Sequence, residues 1–591
     1  MARRGFAILF TLLGIAFFIS IVGFALLYLA FGREPAVASN STLVLRVGGD
    51  LTEVAPADVV SYVRGVKTPT VRSVVDSLRK AKVDGRVRAI LLKPTGFESP
   101  FWAKVQEIRD AVIDFRKSGK PVYAYMENAG DREYYLATAA DKVFLMPSTS
   151  LDLTGVATYE LFLRGTLDKV NVYPDLHRIG EYKTAVNTFT EKGYTKPQKE
   201  MDESLNRDLY EQIVRGIADS RKKDEGDVRT ILDDGPFLPE DALRAGLVDD
   251  VAYEDQVEER LRGGAQRRQI DGEEYSRISP SSVGLNRGPR VAVIYASGTI
   301  TGGKSGYDPV NGPVAGSETL VDYIRQARRD SLVRAIVLRI DSPGGSATAS
   351  DAIWRELMIT RNERADRPLV VSMSDLAASG GYYIAMPAQV IVAQPSTLTG
   401  SIGIFGGKFV TGGVYEKLGA RIESTSIGRN AEINSPARRY NPEELKKLQE
   451  QLQAFYDQFV EKVAESRHST PEKIDALAQG RVWTGRQAKQ NKLVDELGGL
   501  DRAIAIAKQR AKIAADSDVE VVVYPPRKSF YELLSEQFSG SSDSLQAAAL
   551  AAWMHANMTR GEIEALRAIR GPLSMFRPGE VLALMPFTFL R

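Results

Sequence analysis

The chain has 591 residues, 43% hydrophobic and 26% charged, and its 77 Lys plus Arg against 75 Asp plus Glu leave a formal net charge of +2. That length allows roughly three to four domain-sized units and excludes a single small module, while near-neutrality offers no bulk positive field for non-specific nucleic-acid binding. Cysteine is absent, which removes disulfide frameworks, thiolate metal sites and cysteine nucleophiles together; the three histidines, His177, His468 and His555, are far apart and outside any H-E-x-x-H pattern, so neither metal nor cofactor is expected.

The first element in chain order follows Arg3 and Arg4. Ala7 to Phe31 is an uncharged run of 25 residues, and at ~1.5 Å per residue it exceeds the ~30 Å hydrocarbon core of a bilayer. It reads as an uncleaved transmembrane anchor occupying 1–38 with the N-terminal residues. A cleaved signal peptide is the alternative, since Ala36-Val37-Ala38 precedes Ser39, but Arg33 and Glu34 separate that site from the run. The arginines at the start place the N-terminus in the cytoplasm and everything after Arg33 across the membrane.

The body repeats itself. Val74 to Arg79 and Arg88-Ala89-Ile90 recur 246 positions on as Leu320 to Arg325 and Arg334-Ala335-Ile336; Tyr134-Tyr135, Pro147-Ser148-Thr149 and Gly155 recur at 248 as Tyr382-Tyr383, Pro395-Ser396-Thr397 and Gly403. Two copies of about 220 residues are expected, over 43–262 and 290–510, with a Gly-, Ser- and charge-rich linker at 263–289. In the second copy, Arg290 to Tyr295, Ala335 to Ile340, Leu369 to Met373 and Gln389 to Ala393 are apolar enough for strands buried on both faces. Thr319 to Arg329 and Ala347 to Asn362 are helix-length, and the alternation predicts an α/β fold of parallel βαβ units crossing right-handed. A long helix is signalled after Asn441, Pro442 and Glu444, with Leu445, Leu448, Leu452, Phe455, Phe459 and Val463 as a packing stripe. The extension at 511–591 carries a strand at Val519 to Tyr524 and helices, without recognisable chemistry.

Two glycine-bearing turns follow strands of the second copy: Asp341 to Ser346, and Ala377 to Tyr382. Backbone can approach a ligand closely at such turns, and two N–H donors from them could serve one developing oxyanion. Ser379, at a strand-to-helix turn, is expected to present an exposed hydroxyl, although G-x-S-x-G is absent. Opposite Ser379 and Gly380 the first copy has Asp131 and Arg132, and opposite the first turn Thr95 to Glu98 without a Gly pair; the asymmetry favours a functional reading of Ser379. Histidines give a Ser-His-Asp triad little support, and a lysine of lowered pKa could serve as base. In the repeat, Lys183 of copy one faces Ala431 of copy two.

Ala377 to Gly406, Ile340 to Ser350 and Ile179 to Val186 together resemble the long, duplicated form of the bacterial signal peptide peptidase A family, membrane-anchored serine proteases of the ClpP/crotonase fold. That resemblance implies tandem ClpP/crotonase-like ββα-type domains, with Ser379 as nucleophile and Lys183, from the other copy, as general base. It also implies an oxyanion hole of the Gly345 and Gly380 N–H groups and a lysine-orienting hydroxyl on Ser401, for which a plain turn hydroxyl is an equal alternative. Further expectations are remnant signal peptides as substrates, a homotetramer, and a single-pass protein of the bacterial inner membrane with its catalytic body in the periplasm. A crotonase-type acyl-thioester enzyme and a catalytically silent membrane scaffold are the rival readings.

Overall fold

A computed structural model describes residues 34–54, 69–264, 268–308, 312–526, 579–586 and 589–590, with Gly14, Ile15, Phe18, Val22, Gly23, Trp553, Asn557 and Met558. The expected anchor, Ala7 to Phe31, lies outside the described residues apart from five isolated positions; among the described residues no helix is long and apolar enough to cross a membrane.

Two parallel sheets carry the two copies. The first runs, edge to edge, through Asp250–Val251, Lys142–Leu145, Val122–Met126, Val87–Phe97, Ser41–Gly49 and Arg268–Asp271. The second repeats that order with Glu496–Leu497, Val390–Ala393, Leu369–Ala378, Val333–Ser342, Arg290–Ser297 and Glu520–Tyr524. Each strand predicted in the second copy is present, three of them extended at their C-terminal ends to Ser297, Ser342 and Ala378. Their central residues are apolar on both faces because helices cover both sides of a parallel sheet. In the helix Ser317–Arg329, Leu320, Ile324 and Ala327 are buried, and in its counterpart Val71–Val83 the corresponding face is Val71, Val74, Val75, Leu78 and Ala81. The helix Pro442–Ser466 is capped by Asn441 and Glu444 as its sequence predicts, and buries Leu448, Leu452, Phe459 and Val463 in the core of the second copy.

The stretch 263–289 is more than a linker. Arg268–Asp271 pairs in parallel with Ser41 to Val44, a helix Gly272–Ser276 follows, and Tyr275 and Ile278 are buried in the first core. Likewise Glu520–Tyr524, read as part of the extension, is an edge strand of the second sheet. Both segments are too short and polar to look like core strands, yet each completes the same edge of its copy.

A third sheet ties the copies together. Its order is Gly306–Asp308, Gly312–Gly316, Thr299–Thr301, Gly344–Ser346, Leu582–Leu584, Ile404–Val410 and Tyr173–Ile179, so one edge strand belongs to the first copy and one inner strand to the C-terminal segment. Buried charge reinforces the joint. The Arg339 guanidinium donates to Glu53 at 2.8 and 3.0 Å and to Glu107 at 2.7 Å, and Gln106 accepts from the Ser396 backbone and hydroxyl at 3.0 and 2.7 Å.

Candidate active site

Leu369–Ala378 runs straight into Ser379, which caps the short helix Gly380–Ala385. Ser379 has φ 57° and ψ −112°, a conformation that side-chain-bearing residues rarely adopt and that marks strained functional turns. It is held there from both sides: its N–H donates to Gly400 O at 2.7 Å, and its carbonyl accepts from Tyr383 N–H at 2.8 Å. The first glycine turn meets it. A Cβ on Gly344 would stand 2.8 Å from Gly380 N, and one on Gly345, at φ +153°, would stand 2.0 Å from Ile300 O, so no side chain fits at either position. Structure therefore brings Gly345, Gly380 and Ser379 to one place. The expected exposure of the serine hydroxyl is corrected: Ser379 has no solvent-accessible surface, because the strand Leu582–Leu584 runs beside Gly344–Ser346.

Lysine reaches this site from the other copy. The strand Tyr173–Ile179 pairs antiparallel with Ile404–Val410, Ile179 opposite Ile404, and the chain then turns through Gly180 into the pocket. Tyr182 N–H donates to Gln479 O at 2.8 Å, and Gly480 packs so closely that a Cβ there would lie 2.4 Å from Lys183 N. Lys183 Nζ stands 2.7 Å from Ser379 Oγ, 2.9 Å from Ser401 O and 3.0 Å from Ser401 Oγ, and the residue is completely buried. Burial, with no carboxylate offsetting it, holds the Lys183 amine well below the usual lysine range. A neutral amine has two N–H groups and one lone pair, which matches this arrangement: Ser401 takes the N–H bonds and the lone pair faces the Ser379 hydroxyl. The site is thus able to draw a proton from Ser379 and to place backbone N–H groups near a carbonyl attacked by it. Ser401, itself at φ 48°, is anchored by its N–H to Arg481 O at 2.7 Å.

The equivalent place in the first copy is closed by its own side chains. Asp131, opposite Ser379, accepts from Thr154 and Gly155 N–H groups, both at 3.0 Å, and Phe97 N–H is taken up by Glu133 at 2.7 Å. Ala431, opposite Lys183, is exposed. His177 pairs with Asp175 at 3.0 Å, while His555 lies outside the described residues. Among the described residues no group of three or more His, Asp or Glu side chains converges to hold a metal ion.

Three features escaped the sequence. Lys104 of the first copy bridges Asp341 at 2.7 Å and Asp375 at 3.3 Å, so it clamps the two strands that lead to the two glycine turns; an isolated helical lysine carries no signal of this. Gly480 is one glycine among 50. The strand at 582–584 had a weak cue in the apolar run Val581 to Met585, which the surrounding extension obscured.

The model of peptidase family S49 matches the chain twice, at residues 114–268 and 361–514. The chain is 37% identical over 467 residues to the chloroplastic serine protease SPPA of Arabidopsis thaliana, covering 77% of this chain and 68% of that one. With Protease 4 of Salmonella typhi the identity is 34% over 524 residues, 85% of this chain and 82% of the relative. A protein of Enterococcus faecium named after signal peptide peptidase SppA is 32% identical over 207 residues, 35% of this chain and 59% of that one.

Proposed function

This chain belongs to peptidase family S49 and is a serine endopeptidase, and from that premise we propose that it works through a Ser379–Lys183 dyad on remnant signal peptides. The carrying observation is the 2.7 Å approach of Lys183 Nζ to Ser379 Oγ in a fully buried pocket. Ser379 Oγ adds to a peptide carbonyl while its proton passes to Lys183; the N–H groups of Gly345 and Gly380 receive the oxyanion; Lys183 returns the proton to the leaving amine. Water, activated by the same amine, then frees the acyl group. Ser401 holds the lysine through its hydroxyl and carbonyl. Signal peptides as the substrate class are supported by the name of the Enterococcus relative and by the apolar walls around the site, where Leu163, Phe189 and Phe405 cluster.

The uncharged run at 7–31 supports a single-pass anchor with a cytoplasmic N-terminus and a periplasmic body in a bacterial inner membrane, and a homotetramer is the assembly the family resemblance favours. A serine-directed phosphonate should label Ser379 and nothing else. Ser379→Ala should abolish both labelling and peptide hydrolysis while changing stability by no more than about 1 kcal/mol, the worth of one hydrogen bond. Undiminished turnover in that variant would remove Ser379 from the mechanism.

A further inference from the structure

The segment 581–586 is fully buried at the mouth of the dyad, and its backbone is arranged as a substrate's would be. Leu582–Leu584 is sandwiched antiparallel between Gly344–Ser346 and Ile404–Val410. Ala347 N–H donates to Val581 O at 3.1 Å and Met585 N–H donates to Pro343 O at 2.9 Å. In an antiparallel ladder the bonded pairs recur every second residue, which makes Gly345·Ala583 the bonded pair between them. The Ala583 carbonyl oxygen lies against both glycine turns: it would be 2.1 Å from a Cβ on Gly344 and 3.2 Å from one on Gly380. Side chains alternate along the segment. Val581 and Ala583 enter the core of the second copy, whereas Leu582 and Leu584 pack with Phe189 and Phe405 on the lysine arm's side.

We propose that 581–586 is a built-in substrate of this enzyme, filling its peptide groove, and that Ala583–Leu584 is a self-cleavage site. The proposal rests on the Ser379–Lys183 reading. Ser379 Oγ adds to the Ala583 carbonyl carbon as its proton passes to Lys183; the bond to the Leu584 nitrogen breaks as that nitrogen takes the proton; water hydrolyses the ester, leaving an Ala583 carboxylate and restoring the serine. Until the peptide beginning at Leu584 leaves, no other peptide reaches Ser379, which agrees with the complete burial of the serine. The groove so defined prefers a small residue before the cut and apolar residues on either side, because Ala583 is 1% and Leu582, Leu584 and Met585 at most 3% exposed.

Intact-mass spectrometry of the purified full chain, with turnover of a quenched-fluorescent Val-Leu-Ala-Leu-Met peptide in the same sample, tests this. The wild-type chain should end at Ala583 and cut the probe. Ser379→Ala should keep its residues beyond Ala583 and not cut the probe. Ala583→Arg, whose side chain has no room in the groove, should stay uncut at 583 yet cut the probe without a lag. A wild-type chain that retains Leu584 onward while cutting the probe overturns self-cleavage and leaves the dyad standing. Loss of the tail in Ser379→Ala also overturns it, since another protease would then be responsible. Failure of the wild type and Ala583→Arg alike to cut the probe overturns the dyad reading and the self-cleavage with it.

Discussion

Lys183 acquires its chemistry from where it is buried, with only hydroxyl and carbonyl partners and no carboxylate. Its amine is neutral in the fold at a pH where an unfolded lysine, with its pKa near ~10.4, still holds a proton. Between the lowered folded pKa and the unfolded one, the unfolded chain binds more protons, so raising the pH stabilises the fold through that window. Activity should rise with pH in the same direction, as the amine frees its lone pair. A pH series of kcat/KM and of thermal melts checks both at once. Wild-type kcat/KM should climb towards alkaline pH, Lys183→Arg should be inactive throughout because guanidinium keeps its proton, and the Tm of wild type should gain on that of Lys183→Met between pH 7 and 9.5. A gap in Tm that stays constant across that range would mean Lys183 is charged in the fold.

At the scale of elements, the dyad depends on a strand and two turns that approach within backbone distance. The hairpin-like arm Tyr173–Ile179 is fixed by its antiparallel ladder, and Gly480 at φ +79° lets Lys183 settle beside it. Gly480→Ala should therefore push the lysine turn outward. We expect kcat to fall by about 10²-fold, the scale of a 1 Å misplacement, and stability to drop by ~1–3 kcal/mol from the strained conformation. Steady-state kinetics beside urea melts would read this; unchanged kcat would show that the turn tolerates a Cβ. The helices and inner strands that support the arm were legible in the sequence because apolar spacing and caps such as Asn441 and Glu444 are local. Lys183's docking was legible only as a difference between copies, since nothing around Gly180 to Thr184 names the partner strand Ile404–Val410.

Over the whole molecule, duplication gives two similar sheets and one working site. The first copy has exchanged its catalytic turn for self-satisfied side chains, Asp131 and Glu133, and contributes a lysine, a clamp at Lys104 and the carboxylates Glu53 and Glu107. Those carboxylates meet Arg339, which is 1% exposed. Arg339→Met would leave two buried carboxylates facing each other without a cation. It should cost about 3–5 kcal/mol, the range for breaking a buried ion pair from one side, and equilibrium urea unfolding would measure it. A loss below 1 kcal/mol would mean that water reaches Glu53 and Glu107 once the arginine is gone.

The sequence by itself determined the repeat, the alternating strand and helix order of each copy, the long capped helix and the candidate pair Ser379 and Lys183, all carried by short-range periodicity, by turn residues or by comparison of the chain with itself. Tertiary structure decided the rest. Short polar segments such as Arg268–Asp271 became strands only because a waiting sheet edge supplied their hydrogen bonds, which no local pattern encodes. The 2.7 Å meeting of Lys183 with Ser379 spans 196 positions of chain, and the seat of Val581 to Met585 in the groove depends on a strand slot formed by Gly344–Ser346 and Ile404–Val410. Backbone pairing carries little side-chain signature, so residues read as an extension without chemistry lie where the chemistry is.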